Sequence, residues 1–191
     1  MRPINHTPYL PYKVVANMDD SALTSTFINS TFWSTQDVYW MQQALELAKQ
    51  GSRRGEVPVG AVLVHEQNCI GKGFNAPIGQ HDATAHAEII AIRAACLHLN
   101  NYRLPAKTTL YVTLEPCTMC IGALIHARVD RIIYAASEPR AGMIGSQMNL
   151  VAQPFYNHHI QAYAGLCADK SSQMLKDFFR QRRAATKKNK P

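Results

Sequence analysis

Two short segments constrain this chain more than anything else in it: His86-Ala87-Glu88 and Pro116-Cys117-Thr118-Met119-Cys120. Together they offer one imidazole, two thiols and a carboxylate left over for other work. Three N/S ligands with a fourth position open is the arrangement of a catalytic zinc site, whereas a structural site is closed by four protein ligands. The spacing of Cys117 and Cys120 puts both thiols on one face of a helical turn. At a helix N-terminus, with a metal beside them, they would ligate as thiolates. Whatever the fold, it has to bring these two segments together.

Two other readings of the same residues stay open at this point. A C-x-x-C pair can be a redox couple, although nothing around it resembles the βαβ context of thioredoxin. A closed structural zinc site would need a fourth ligand, which His81, His126 or Cys96 could supply. Glu88 separates the readings. A carboxylate two residues from a ligand, at the start of a buried helix, is a costly charge to place there without a task. An exposed acid in the same first turn would simply be favoured by the helix dipole.

The remaining pattern is α/β. Residues 1–33 have no clear period, carry Pro3, Pro8 and Pro11, and read as an extension that is poorly ordered or lies across the surface. The domain then runs over residues 34–191. Apolar positions Val38, Met41, Ala44, Leu45 and Ala48 predict a helix over Thr35–Gln50, with Ser34 as N-cap and Gly51 as its C′ residue. Val57–His65 and Cys69–Phe74 read as strands joined by a turn at Glu66-Gln67-Asn68. Asn75–Thr84 reads as a loop. Thr84 is the candidate N-cap of a buried helix over Ala85–Leu99. Thr108–Leu114 is a strand of β-branched and aromatic residues, followed by a helix over Cys117–Ala127 with Pro116 in its first turn. Val129–Ala136 is a further strand, 137–157 a long loop, His159–Ala164 a short strand and Ser172–Lys187 the last helix. Strands alternating with helices after an initial hairpin imply a mixed sheet in a three-layer α/β/α domain that ends in a basic helix.

Composition narrows the setting. At 191 residues the chain can bury a real core, and no apolar run approaches the roughly 18–20 residues of a membrane span. The first residues lack the apolar stretch of a secretory signal, and Asp19 and Asp20 argue against a transit peptide, so a cytoplasmic protein is expected. Five cysteines, an odd number, argue against a disulfide framework. The net charge of +7 is localised. Residues 171–191 hold seven basic side chains and one acidic, which leaves the rest of the chain close to neutral. That is the electrostatic footprint of a polyanion partner, although a solvated tail could carry the same charge.

The paired segments, with their gap, resemble the signature of the zinc-dependent nucleoside deaminases. The likeness extends further. Glu56-Val57-Pro58-Val59-Gly60-Ala61-Val62, Asn75, His81-Asp82, Asn101-Tyr102-Arg103-Leu104, Leu110–Glu115 and Asp177–Arg183 are similar to bacterial tRNA-specific adenosine deaminases, over roughly residues 35–185. The resemblance implies one Zn²⁺ per subunit on His86, Cys117 and Cys120, with Glu88 as proton shuttle in a hydrolytic deamination. It implies the wobble adenosine of a tRNA anticodon as substrate, most readily that of an arginine tRNA, and a homodimer with a shared RNA site. Asn75 matches the base-contacting Asn, whose amide can donate and accept, and Val57 and the Ala87 backbone would line the pocket. Phe178 or Phe179 would offer a stacking face, one of them being core, while Arg180, Arg182 and Arg183 meet phosphates. One departure stands out: Glu138 and Arg140 occupy the place of the family's Asp-x-Lys, keeping charge but altering reach. Two rivals share parts of this reading. A deaminase of free bases or nucleosides would have no use for the basic tail, and a zinc-stabilised RNA-binding module would have none for Glu88.

Overall fold

A computed structural model describes residues 12–14 and 32–188. Most of the extension, and the reading of it as poorly ordered or surface-lying, falls outside the described residues. A mixed six-stranded sheet has the order β1-β6-β5-β4-β2-β3. Its strands are β1 (Tyr12–Val14), β2 (Gly60–His65), β3 (Asn68–Phe74), β4 (Thr109–Leu114), β5 (Arg131–Ala136) and β6 (Gln161–Ala164). β4, β5 and β6 are mutually parallel, while β2 runs antiparallel to both β3 and β4. β3 therefore points the same way as β4, and the exits of β3, β4 and β5 share one end of the sheet. The helices are α1 (Thr35–Arg53), α2 (Pro77–Gln80), α3 (Ala87–Leu99), α4 (Thr118–His126) and α5 (Ala168–Lys188).

Alternation along the strands builds the three layers. Ala61 and Leu63 of β2, Leu110 and Val112 of β4, and Ile132 and Tyr134 of β5 pack with Ala87 and Ala91 of α3 and Ile121 and Leu124 of α4. The intervening residues Val62, Val64, Tyr111, Ile133 and Ala135 pack with Met41 and Ala44 of α1. Each fully buried aliphatic side chain of this kind contributes about 1.5–3 kcal/mol. α5 lies on β5 and β4 beside α1. Among the described residues no helix is long and apolar enough to cross a membrane.

Two polar features tie the layers. Ser34 caps α1 reciprocally: its hydroxyl accepts from Asp37 N–H, and the Asp37 carboxylate accepts from Ser34 N–H, each at 3.0 Å. The same buried carboxylate accepts from the Tyr111 hydroxyl of β4 at 2.9 Å and from Arg131 of β5 at 2.9 Å. On the other face α3 comes very close to β3. A Cβ at Gly73 would sit 2.7 Å from the Ala87 carbonyl and the Ile90 side chain, so the first turn of α3 takes its place because residue 73 has no side chain.

Several boundaries differ from the sequence reading. α1 continues past Gly51, which is buried against Phe74; the residue with left-handed backbone after the helix is Gly55, φ +81°. Val57–Val59 lie outside β2, whose ladder starts at Gly60. The β2–β3 turn is the pair Glu66-Gln67, both left-handed at φ 45° and 63°, and Asn68 already belongs to β3. β6 starts at Gln161 and β5 at Arg131, later than expected. The loop after β3 contains α2, and the 137–157 loop contains a 3₁₀ turn at Leu150–Ala152. α5 begins at Ala168, a turn earlier than expected. β1 was not foreseen at all; it pairs antiparallel with β6.

Candidate active site

The two ligand-bearing segments meet where α3 and α4 begin. His86 is the N-cap of α3, with φ −73° and ψ 154°, and Cys117 is the N-cap of α4, with φ −80° and ψ 176°. Neither residue is inside the helix, as the sequence reading had it, and Thr84 does not cap α3. Thr84 instead donates to Asp82 through its N–H and its hydroxyl, at 2.8 and 2.7 Å. Extended backbone at both caps lets the two side chains leave the helix starts sideways, and neither makes a capping hydrogen bond. Cys120, a turn into α4, is fully buried.

The three donor atoms converge. His86 Nδ1 lies 3.7 Å from Cys117 Sγ and 3.5 Å from Cys120 Sγ, and the two sulfurs are 3.7 Å apart. A tetrahedral zinc with ordinary bond lengths separates two thiolate ligands by about 3.8 Å and a thiolate from an imidazole nitrogen by about 3.6 Å. The spacing fits the ion. The charges fit as well. Hydrogen bonding from Cys120, and then His86, pulls the Cys117 thiol down to about 4 against its burial. Cys120 is pushed up by its bond to Cys117, by burial and by Glu88. Only a cation at the centre would let both sulfurs ionise. Among the described residues no further His, Cys, Asp or Glu joins the cluster. His81 and His126 are exposed, and Cys96 faces the Tyr102 carbonyl at 3.6 Å. Among the described residues, therefore, no fourth ligand closes the site, and a tetrahedral ion on these three donors keeps one open position.

Glu88 is 4% exposed. Burial pushes its carboxyl well above the usual range, opposed by a backbone hydrogen bond and by His86, and it lies within hydrogen-bonding reach of Cys120. Asn75, at the exit of β3, fixes the segment from outside. Its Oδ1 accepts from Ala87 N–H at 2.8 Å, between ligand and carboxylate, and its own N–H donates to the Val59 carbonyl at 3.0 Å. One lone pair of Oδ1 is thus engaged, which leaves its second lone pair and the NH₂ for a substrate. Val57 is half-buried against the core, and Ala87 is fully buried.

Comparison with known proteins decides the family. Residues 34–136 match the cytidine and deoxycytidylate deaminase zinc-binding region. The chain is 47% identical over 152 residues to a tRNA-specific adenosine deaminase of Haemophilus influenzae, covering 79% of this chain and 87% of that one. The chain belongs to the tRNA-specific adenosine deaminases. A second relative of that name, from Bacillus subtilis, is 39% identical over 153 residues, 80% of this chain and 94% of its own. A structure solved in studies of A-to-I editing by tRNA:A34 deaminases superposes with a TM-score of 0.69 at 42% identity, over 72% of this chain and 99% of that one. This adenosine deaminase is a zinc-dependent hydrolase whose metal-binding donors are one histidine and two cysteines.

Two buried carboxylates of the deaminase were missed as anything more than motif letters. Glu56, 2% exposed, accepts from Gly79 N–H at 2.7 Å and Ile78 N–H at 3.3 Å, and so holds α2 beside Asn75. Glu115, 3% exposed, gathers the loop after β5. That loop carries Glu138, whose Oε1 accepts from Arg140 N–H at 2.9 Å, and Arg140, which is exposed. For Glu115 the available signal was a charge set between the apolar end of a strand and Pro116; Glu56, which follows Arg53-Arg54-Gly55, carries no such mark. The structure does not draw the α5 residues into the metal cluster: among the described residues no hydrogen bond or ion pair links them. Phe178 is the core member of its pair, at 7% exposure, and Phe179 is the open one, at 42%. Arg182 stacks over Phe178 at 5.8 Å, Arg183 is exposed, and Arg180 pairs with Asp177 at 2.6 Å.

Proposed function

We propose that this deaminase converts the wobble adenosine of a tRNA anticodon, that of an arginine tRNA foremost, to inosine, with Glu88 moving the protons. The observation that carries the reading is a buried carboxylate beside an open three-donor metal set, in a chain 47% identical to a tRNA-specific adenosine deaminase. Zinc held by His86, Cys117 and Cys120 would supply Lewis-acid activation of water at its remaining position. Glu88 accepts the proton of the attacking water and delivers it to adenine N1, which makes C6 electrophilic. The water oxygen bonds to C6, Glu88 takes the remaining proton of that C6 hydroxyl and gives it to the amine, and the C6–N bond breaks as the C6 carbonyl forms. Adenosine and water become inosine and ammonia.

The chain's other residues hold the RNA. The Asn75 NH₂ donates to the base, and Val57 and Ala87 wall the pocket. A loop base is already unpaired, so splaying it into such a pocket needs little unstacking energy. Glu138 and Arg140 meet the nucleotide beside the target, Phe179 offers the stacking face, and Arg182 and Arg183 meet phosphates. The active form is a cytoplasmic homodimer; exposed Met148 and Phe155, in the loop between β5 and β6, are apolar surface that a second copy would cover.

The test incubates purified protein with an arginine tRNA bearing adenosine at the wobble position, and separately with free adenosine, cytosine and guanine, and measures inosine and ammonia. The tRNA alone should turn over. Glu88→Ala should keep one zinc per subunit while losing about 10²–10⁴-fold in rate. A Glu88→Ala protein working at near-normal rate would sink the assignment.

A further inference from the structure

We propose that Glu115 is a positioning residue: its buried carboxylate sets the lip that carries Glu138 and Arg140 against the Cys117 end of α4, and so governs how tightly the nucleotide beside the target base is held. This rests on the reaction proposed above.

Glu115 sits where β4 ends, its N–H donating to the Ala136 carbonyl at 2.8 Å, so it bridges the exits of the two central parallel strands. Its side chain turns away from the metal donors and into the loop after β5. Oε2 accepts from Glu138 N–H at 3.0 Å and from the Ser146 hydroxyl. Oε1 accepts from Ile144 and Gly145 N–H at 2.9 Å and from Ser146 N–H at 3.0 Å. One carboxylate thus takes donors from both ends of the 138–146 segment, which compensates its desolvation and closes the loop on itself.

The fit is tight. A Cβ at Gly142 would lie 2.3 Å from Glu115 Oε2 and 2.7 Å from the Glu138 carbonyl, so the loop backbone can wrap the carboxylate only with glycine there. The wrapped loop is then pinned to the metal side. Met143 N–H donates to the Pro116 carbonyl at 3.0 Å, and Gly142 bridges to Cys117 itself. The chain Glu138–Glu115–Pro116–Cys117 is a continuous run of bonded or hydrogen-bonded groups. A glutamine at 115 keeps the volume, but its NH₂ would face N–H groups that already need an acceptor. The lip would loosen at its Glu138 end, while the donors stay set by the starts of α3 and α4 and by the Met143–Pro116 hydrogen bond, in which the side chain of residue 115 takes no part.

The test is a coupling experiment on steady-state deamination of an anticodon stem-loop with adenosine at the wobble position. Glu115→Gln is expected to raise KM about 10- to 100-fold, with kcat within about threefold of wild type and zinc at one per subunit. Ser146→Ala, which removes only the hydroxyl contact, is expected to raise KM about two- to threefold and serves if the first variant does not fold. In a background with both Glu138→Gln and Arg140→Gln either change should add little, because both act through the lip on which those two side chains stand. Full multiplication of the effects in that background, or a fall in kcat at constant KM, overturns the role of Glu115. A wild-type chain that leaves the stem-loop unconverted defeats the parent reading, and this role with it. A wild type that converts the stem-loop while the combined variant is additive defeats the role alone.

Discussion

Replacing Asp37 with alanine should destabilise the protein by about 3–4 kcal/mol, and the contacts of that carboxylate say why. Asp37 is 4% exposed and accepts from the Tyr111 hydroxyl at 2.9 Å, from Arg131 at 2.9 Å, and from Ser34 N–H at 3.0 Å. Losing the reciprocal cap costs about 1 kcal/mol. Stranding the Tyr111 hydroxyl, on a residue 4% exposed, costs about 1–3 kcal/mol. The Arg131 pair adds about 1 kcal/mol or less, because that guanidinium is a third exposed and solvent screens it. Burial pushes the Asp37 carboxyl up, but hydrogen bonds from Arg131, Ser34 and Tyr111 outweigh it and hold the group below its ordinary value. A folded pKa lowered below the unfolded one gives stability that is present above about pH 4 and is lost as the pH falls through the folded value. Urea unfolding at pH 7 should show the full loss in Asp37→Ala, and at pH 3 the gap to wild type should narrow. The sharper measurement is Tyr111→Phe in the Asp37→Ala background. It should be neutral or restore about 1 kcal/mol, since no buried hydroxyl is left without an acceptor. If Tyr111→Phe costs as much there as in wild type, the stranded-hydroxyl argument is wrong.

Three further outcomes are expected. Gly73→Ala drives a Cβ into the first turn of α3, and turnover should fall about 10- to 100-fold for about 1–3 kcal/mol of stability, read by inosine formation and urea midpoint; unchanged turnover would mean that this turn need not stay in place. Deleting residues 180–191 should weaken tRNA binding and reduce the slope of log Kd against log salt by about 1.5–2, because Arg182 and Arg183 are no longer there to neutralise one phosphate each; an unchanged slope removes the tail from the interface. Chelating the metal should speed amide exchange in the first turns of α3 and α4, whose N-cap residues are ligands without capping bonds, and leave the Ser34-capped start of α1 alone. Uniform loosening of the whole chain contradicts that account.

Much of the architecture was legible because the strands alternate cleanly and both ligand segments announce themselves by residue type. The metal donors come together as their spacing implied, and the C-terminal basic helix is there. What misled was local. His86 and Cys117 look like first-turn residues, yet they are the N-cap residues, where extended backbone is the rule, and their side chains turn to each other instead of capping the helix. Gly51 looked like a helix stop, but it is a gap for the Phe74 ring, and the glycine needed for its backbone angle is Gly55. A sequence does not distinguish a glycine that makes room from one that turns the chain. The Asn75 amide also holds the ligand segment through the Ala87 N–H, a task that its residue type did not announce. Glu56 and Glu115 escaped notice because their partners are backbone amides far along the chain, which carry no residue type to recognise.

β1 has a consequence for how molecules of this protein meet. Tyr12, Lys13 and Val14 pair with Ala164, Tyr163 and Ala162, and they come from a part of the chain that the family match, which starts at residue 34, does not reach. The unpaired amides and carbonyls of a bare β6 are a template onto which any extended strand can add, from another copy of the protein or from an unrelated chain. By laying residues 12–14 there, the molecule covers β6 from within and leaves only a three-residue strand at that margin. A protein shortened to start at Ser34 would keep every group of the metal centre and leave the margin of its sheet open to strangers.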